Sequence, residues 1–142
     1  MTRFKFEPFL PTGNGVLSQE ELIFFYYEIV TKNEDSQICG LTWNQETKDF
    51  LKSAGIVIQS CPSNTLTDLF HNNTIYYTKV NGESEVMAFF RHLRNAFAHL
   101  SIQEYDDYLY IKDVNIKNNI TMIGKVRFDD LKRLCYIIFY QV

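Results

Sequence analysis

Hydrophobic and polar positions along the chain follow helical spacing in several stretches and alternate in one. Residues 17–32, "LSQEELIFFYYEIVTK", place Leu22, Phe25, Tyr26, Ile29 and Val30 on one helical face. Ser18 with Glu21 supplies a capping box, and Leu17 with Leu22 a hydrophobic staple. Residues 42–55 predict a second helix, with Thr42 and Gln45 as its capping box and Trp43, Phe50, Leu51 and Ala54 as its apolar stripe. Gly55 stands where a C-terminal cap belongs. "IVIQSC", 56–61, is β-branched and ambiguous, "PSNTLTDLFHNN" is expected to form a short helix through Leu66, Leu69 and Phe70, and "TIYYTKV" favours extended backbone. Asn81-Gly82 breaks the chain before a central helix from Glu83 to about Leu100. Residues 105–126 alternate and turn at Asn118-Asn119, which predicts a β-hairpin. A last helix begins near Asp129, its expected cap, and is lined by Leu131, Leu134, Cys135 and Ile138. Residues 1–16, with Pro8, Pro11, Gly13 and Gly15, read as an extended arm anchored by Phe4, Phe6 and Phe9. The expected architecture is mainly α: a small bundle of four to five helices in one domain, 1–142, with a β-hairpin inserted before the last helix.

Composition leaves this picture intact. The chain is 46% hydrophobic and 15% aromatic over 142 residues, enough to bury a core. It contains no run of eighteen apolar residues, so no membrane span is expected, and its start carries no secretory h-region; a cytoplasmic location is the expectation. Cys39, Cys61 and Cys135 form no metal-binding or redox spacing and read as small apolar groups. The net charge of −3 argues against a surface coated for nucleic acid while leaving room for a local basic pocket. Neither a glycine-rich phosphate loop nor G-x-S-x-G, H-E-x-x-H or an EF-hand pattern occurs, and no metal or cofactor is expected.

The chemistry concentrates in "VMAFFRHLRNAFAHL", 86–100. At about 100° per residue, Val86, Phe89, Phe90, Leu93, Ala96, Phe97 and Leu100 share one side. Arg91, Asn95 and His99 follow one another at i, i+4 and i+8 on the other, flanked by Arg94, with Ser84, Ala88 and Ala98 among them. A solvated face is usually lysine and glutamate. Here the guanidinium offers a planar fork that matches phosphate, the imidazole moves protons near neutrality, and the amide orients a partner without adding charge.

Arg94-Asn95-Ala96-Phe97-Ala98-His99 resembles the R-x(4–6)-H signature of the HEPN superfamily, in its common form of an Arg-Asn pair followed by three residues and His. The resemblance is specific over about a dozen residues. It implies a four- or five-helix fold and a metal-independent endoribonuclease, often a toxin or abortive-infection effector paired with an antitoxin protein. It also implies a homodimer whose motif helices share one cleft. Carried onto this chain, Arg94 would hold the scissile phosphate, His99 would act as general acid or base for attack by the ribose 2′-hydroxyl, and Asn95 would orient the phosphate or the imidazole. Arg91 lies outside the family motif; the helical wheel alone nominates it as a phosphate or dimer contact. Arg94 and His99 lie about 140° apart on an ideal helix, which a two-fold partner would reconcile.

Some positions depart from the family. Leu100-Ser101 follows the histidine where many members have glycine, and no His-x-Tyr is present, Tyr105 being out of register. An acidic site residue is not evident, Glu28 and Asp49 being the candidates. His92 reads as a surface or edge histidine, His71 as a loop residue, and Tyr105, Tyr108 and Tyr110 as either a stacking platform or hairpin packing. The alternative function is a non-catalytic HEPN module that binds RNA, nucleotide or a protein partner through the same face.

Overall fold

The computed structural model describes residues 27–28, 41–99 and 101–141. The extended arm and most of the first predicted helix lie outside them; Tyr27 and Glu28, which fall in that helix, are helical. In chain order the remaining elements are α1 (Gln45–Ala54), β1 (Val57–Cys61), β2 (Thr74–Thr78), α2 (Glu85–Ala98), β3 (Ile102–Tyr105), β4 (Tyr108–Val114), β5 (Ile120–Val126) and α3 (Phe128–Phe139).

The helical-bundle expectation is overturned. Three helices accompany a five-stranded mixed sheet of order β1-β2-β5-β4-β3, an α+β fold among the described residues. The hairpin β4–β5 is present, but it is the middle of a sheet rather than an insertion. Its β5 pairs antiparallel with β2, with Ile75 opposite Gly124, and β2 pairs parallel with β1. Asp106 and Asp107 both take positive φ, 53° and 68°, and turn β3 back onto β4, adding a strand that the alternation of 105–126 did not reveal.

Residues 62–73 are not the expected helix; they form the crossover that joins the parallel pair β1 and β2. A parallel pair needs a crossover of about a dozen residues, and this one runs over the outer sheet face. There Phe70 packs edge-on against Tyr110 at 4.9 Å and Asp68 pairs with Lys112 at 3.0 Å.

The core lies between the inner sheet face and α2. Ile75, Tyr77, Leu109, Ile111, Met122 and Val126 meet Val86, Ala88, Phe89, Phe90, Leu93, Ala96 and Phe97, all buried. Leu100 of the predicted stripe lies outside the described residues. Ala88, expected on the polar face, is fully buried, so it lines no open surface. Phe90 stacks on Phe139 at 4.8 Å, joining α2 to α3, whose Leu131, Leu134, Cys135 and Ile138 are buried as the periodicity requires.

Caps differ in detail from the expected ones. Asn44, not Thr42, caps α1 by accepting from the Thr47 amide at 2.9 Å, while Thr42 is tied to Gln141 near the C-terminus. Gly55 ends α1 at φ 70°, a left-handed value suited to glycine. Ser84 caps α2, leaving Glu83 just outside the helix, and Arg127 precedes α3 without a side-chain cap.

Candidate functional site

Four elements converge on a cleft of about 380 Å³ at the C-terminal half of α2. Arg91, His92, Asn95 and His99 form its helical wall. Thr78 from β2, Asp113 from β4 and Thr121 from β5 reach it from the sheet. The β4–β5 turn and the start of the crossover form the rim, through Asn115, Ile116, Asn119, Ser63 and Asn64.

The floor is a buried polar network. His92 is 2% exposed and Asp113 4%, against the surface placement the sequence suggested for His92. Nδ1 of His92 donates to Oδ2 of Asp113 at 2.9 Å, and Nε2 faces the Thr78 carbonyl at 2.9 Å. Nη2 of Arg91 also lies 3.3 Å from Nε2, so the ring bridges β2 and β4 with both nitrogens engaged by protein groups. Thr121 donates its hydroxyl to Oδ2 of Asp113 at 2.9 Å. No buried side-chain nitrogen or oxygen among the described residues lacks a partner, which is what a polar group taken out of water demands. With both nitrogens committed, His92 positions the walls and has none left for a substrate.

Arg91 sits above this floor. Its Nε and Nη2 grip Glu83 at 2.8 and 3.0 Å, a bidentate pair that spans the first turns of α2. The Arg91 hydrogen bond is the main reason the Glu83 carboxyl is held below its ordinary range, and the same bond raises the guanidinium. The Nη1 edge forms no hydrogen bond among the described residues.

His99 is the C-terminal cap of α2, with φ −89° and ψ 4° and its amide donating to the Asn95 carbonyl at 2.9 Å. Its imidazole is exposed on the cleft wall. Asn95, half-buried one turn earlier, accepts from Nη1 of Arg94 at 3.2 Å through Oδ1. That bond fixes the amide orientation and leaves Nδ2 as a donor. Arg94 itself is half-buried and is not among the cleft-lining residues. The structure therefore brings together Arg91, Asn95 and His99, the row drawn from the wheel, and leaves Arg94 beside them as an orienting group.

The acid that sequence reasoning did not find is Asp113. Glu28 is exposed, and Asp49 accepts from Gln45 on the outside of α1, so neither lines the cleft. Asp113 had a signal: in "YLYIKDV" the inward positions run Leu109, Ile111, Asp113, and a carboxylate in an apolar register needs a buried partner. No group of three or more potential metal ligands occurs among the described residues. None of the helices is long and apolar enough to cross a membrane, again among the described residues. Comparison with protein-family models, with characterised proteins and with solved structures finds no match to this chain.

Proposed function

We propose that the chain is a metal-independent endoribonuclease of the HEPN kind that cuts RNA in the cleft beside α2. The observation that carries this reading is the shared wall of Arg91, Asn95 and His99. The helical bundle implied by the motif is not part of the reading; the cleft alone supports it.

The chemistry follows from what each group can still do. The Nη1 edge of Arg91 and Nδ2 of Asn95 donate to the non-bridging oxygens of a phosphodiester and steady the charge gathering there. The ribose 2′-oxygen attacks phosphorus, the bond to the 5′-oxygen breaks, and His99 carries the proton from the first oxygen to the second. The products are a 2′,3′-cyclic phosphate and a 5′-hydroxyl. DNA, lacking the 2′-hydroxyl, is spared. Arg94 acts through Asn95 in its own chain and serves the cleft of a second copy in a homodimer. Toxin or defence duty with an antitoxin partner belongs to the same reading.

The test is digestion of single-stranded RNA in chelator. Wild type should release cyclic-phosphate ends, and His99→Ala should lose about 100-fold or more in rate with its thermal midpoint unchanged. The Glu83–Arg91 pair favours a second reading, in which the cleft binds RNA without cutting it, because half of the arginine fork is already neutralised. Intact RNA with wild-type protein selects that reading.

A further inference from the structure

Three groups crowd Nε2 of His92, and their demands conflict. The Thr78 carbonyl stands 2.9 Å away and can only accept. Nη2 of Arg91 stands 3.3 Å away and can only donate. The Thr78 hydroxyl, at 3.4 Å, can do either. The other ring nitrogen has no such choice. Nδ1 faces Oδ2 of Asp113 at 2.9 Å, an oxygen that also receives the Thr121 hydroxyl, so Nδ1 carries a proton.

A neutral ring therefore offers Nε2 as a lone pair. Nη2 of Arg91 has two N–H bonds: one goes to Oε1 of Glu83 at 3.0 Å, and the second fits that lone pair. The Thr78 carbonyl is then left facing a lone pair. An imidazolium reverses the arrangement. Its Nε2–H donates to the carbonyl, and Arg91 is left with N–H against N–H and cation against cation. The two neighbours differ in freedom. The carbonyl belongs to the main chain of β2, where Thr78 pairs with Cys61 of β1. Arg91 is a long side chain, 39% exposed, and is the partner that yields. The other charges around the ring are few among the described residues. β4 contributes Asp113, whereas β2 and β5 contribute the uncharged Thr78 and Thr121, Lys79 being paired with Glu85 at 3.1 Å. α2 adds His99 at the cleft wall, and Glu83 acts through Arg91. The Glu83 carboxyl, held below its ordinary range by the Arg91 hydrogen bond, stays ionised where an imidazole changes charge.

We propose that His92 is a positioning residue for Arg91: as a neutral ring it holds the guanidinium down on the cleft floor, and as an imidazolium it releases the guanidinium to an anion in the cleft. The proton joins the ring at Nε2 from the cleft, and no other covalent bond changes. The added charge also offsets the Asp113 carboxylate beneath the cleft. Acid thus tightens the grip on a tetrahedral oxyanion through two effects of the same sign. The site is the one that the ribonuclease reading uses, and the inference rests on that reading only for its bearing on RNA.

The experiment is nitrogen NMR on the isotope-labelled chain, with sulfate as the anion because its charge is constant across the range. At about pH 8 the His92 signals should show Nδ1 protonated and Nε2 unprotonated; at about pH 5.5 both should be protonated. The Nε–H signal of Arg91 should move along the same curve. Sulfate binding is measured in His99→Ala, which removes the other imidazole of the cleft. There sulfate should bind at least about threefold tighter at the lower pH. Adding His92→Asn, which keeps a donor toward Asp113 but takes no proton, should abolish that dependence. Where His92→Asn fails to fold, the wild-type spectra decide. An Arg91 signal indifferent to the state of the His92 ring, or a ring protonated alike at both ends of the range, overturns the inference. So does sulfate binding whose pH dependence survives His92→Asn. RNA enters none of these measurements, so failure of the ribonuclease reading is seen separately.

Discussion

Glu83 and Arg91 are held together by two parallel hydrogen bonds, yet the Arg91 side chain is 39% exposed while that of Glu83 is only 11% exposed. Solvent screens the pair, so its worth is no more than about 1 kcal/mol. Its pH dependence has a definite sign. The folded-state carboxyl titrates below the ordinary glutamate value of 4.5, so its contribution is fully present above that value and is lost as pH falls through the lower, folded one. Urea midpoints should therefore drop on acidification below about pH 4.5 more steeply for wild type than for Glu83→Gln. A larger consequence attaches to Asp113. Removing it leaves His92 buried with an unpaired donor, and Asp113→Ala should cost about 3–5 kcal/mol in denaturant titration. At this scale the row along α2 was legible, whereas the place of Arg94 outside the cleft and the His92–Asp113 pair were not. Arg91, Asn95 and His99 fall on one cleft as their spacing required. His92 was misplaced because imidazole is judged polar. Its neighbours at i−4, i−3 and i+4 are Ala88, Phe89 and Ala96, all buried, so its position on the helix already pointed inward.

At the scale of elements, α1, α2, α3 and the β4–β5 hairpin were visible in periodicity, since each carries its own apolar stripe or alternation. β2 was legible as extended backbone in "TIYYTKV" from propensity, whereas β1 stayed ambiguous, because a short β-branched run looks alike whether it becomes strand or buried helix. Their fate was decided by pairing across the chain. Gly124 shows how closely β5 and β2 fit: a Cβ there would stand 2.7 Å from Cγ1 of Ile75, a fully buried side chain with no space to move into. Gly124→Ala should thus destabilise by about 1–3 kcal/mol by overpacking, although glycine is otherwise a poor strand residue; thermal unfolding checks the direction. The 62–73 crossover was read as helix from Leu66, Leu69 and Phe70. In the fold Leu69 is 62% exposed and Phe70 is spent on Tyr110, so helical spacing in that stretch was coincidental.

At the scale of the whole molecule, the sheet gives α2 a fixed bed, and the cleft forms where that helix ends over β4 and β5. The net charge of −3 provides little long-range attraction for RNA, so affinity depends on short contacts inside the cleft and should respond only mildly to salt. Arg94 stands outside the cleft that His99 lines. If it completes a neighbour's site, sedimentation should report a dimer, and mixing Arg94→Ala with His99→Ala chains should restore part of the activity that each lacks alone. The most direct measurement is chelator-resistant cleavage of single-stranded RNA by wild type and His99→Ala in parallel. The account requires cyclic-phosphate products from the first and loss of about 100-fold or more in the second, both equally folded. Equal rates for the two proteins, or products ending in 3′-hydroxyl, would contradict it.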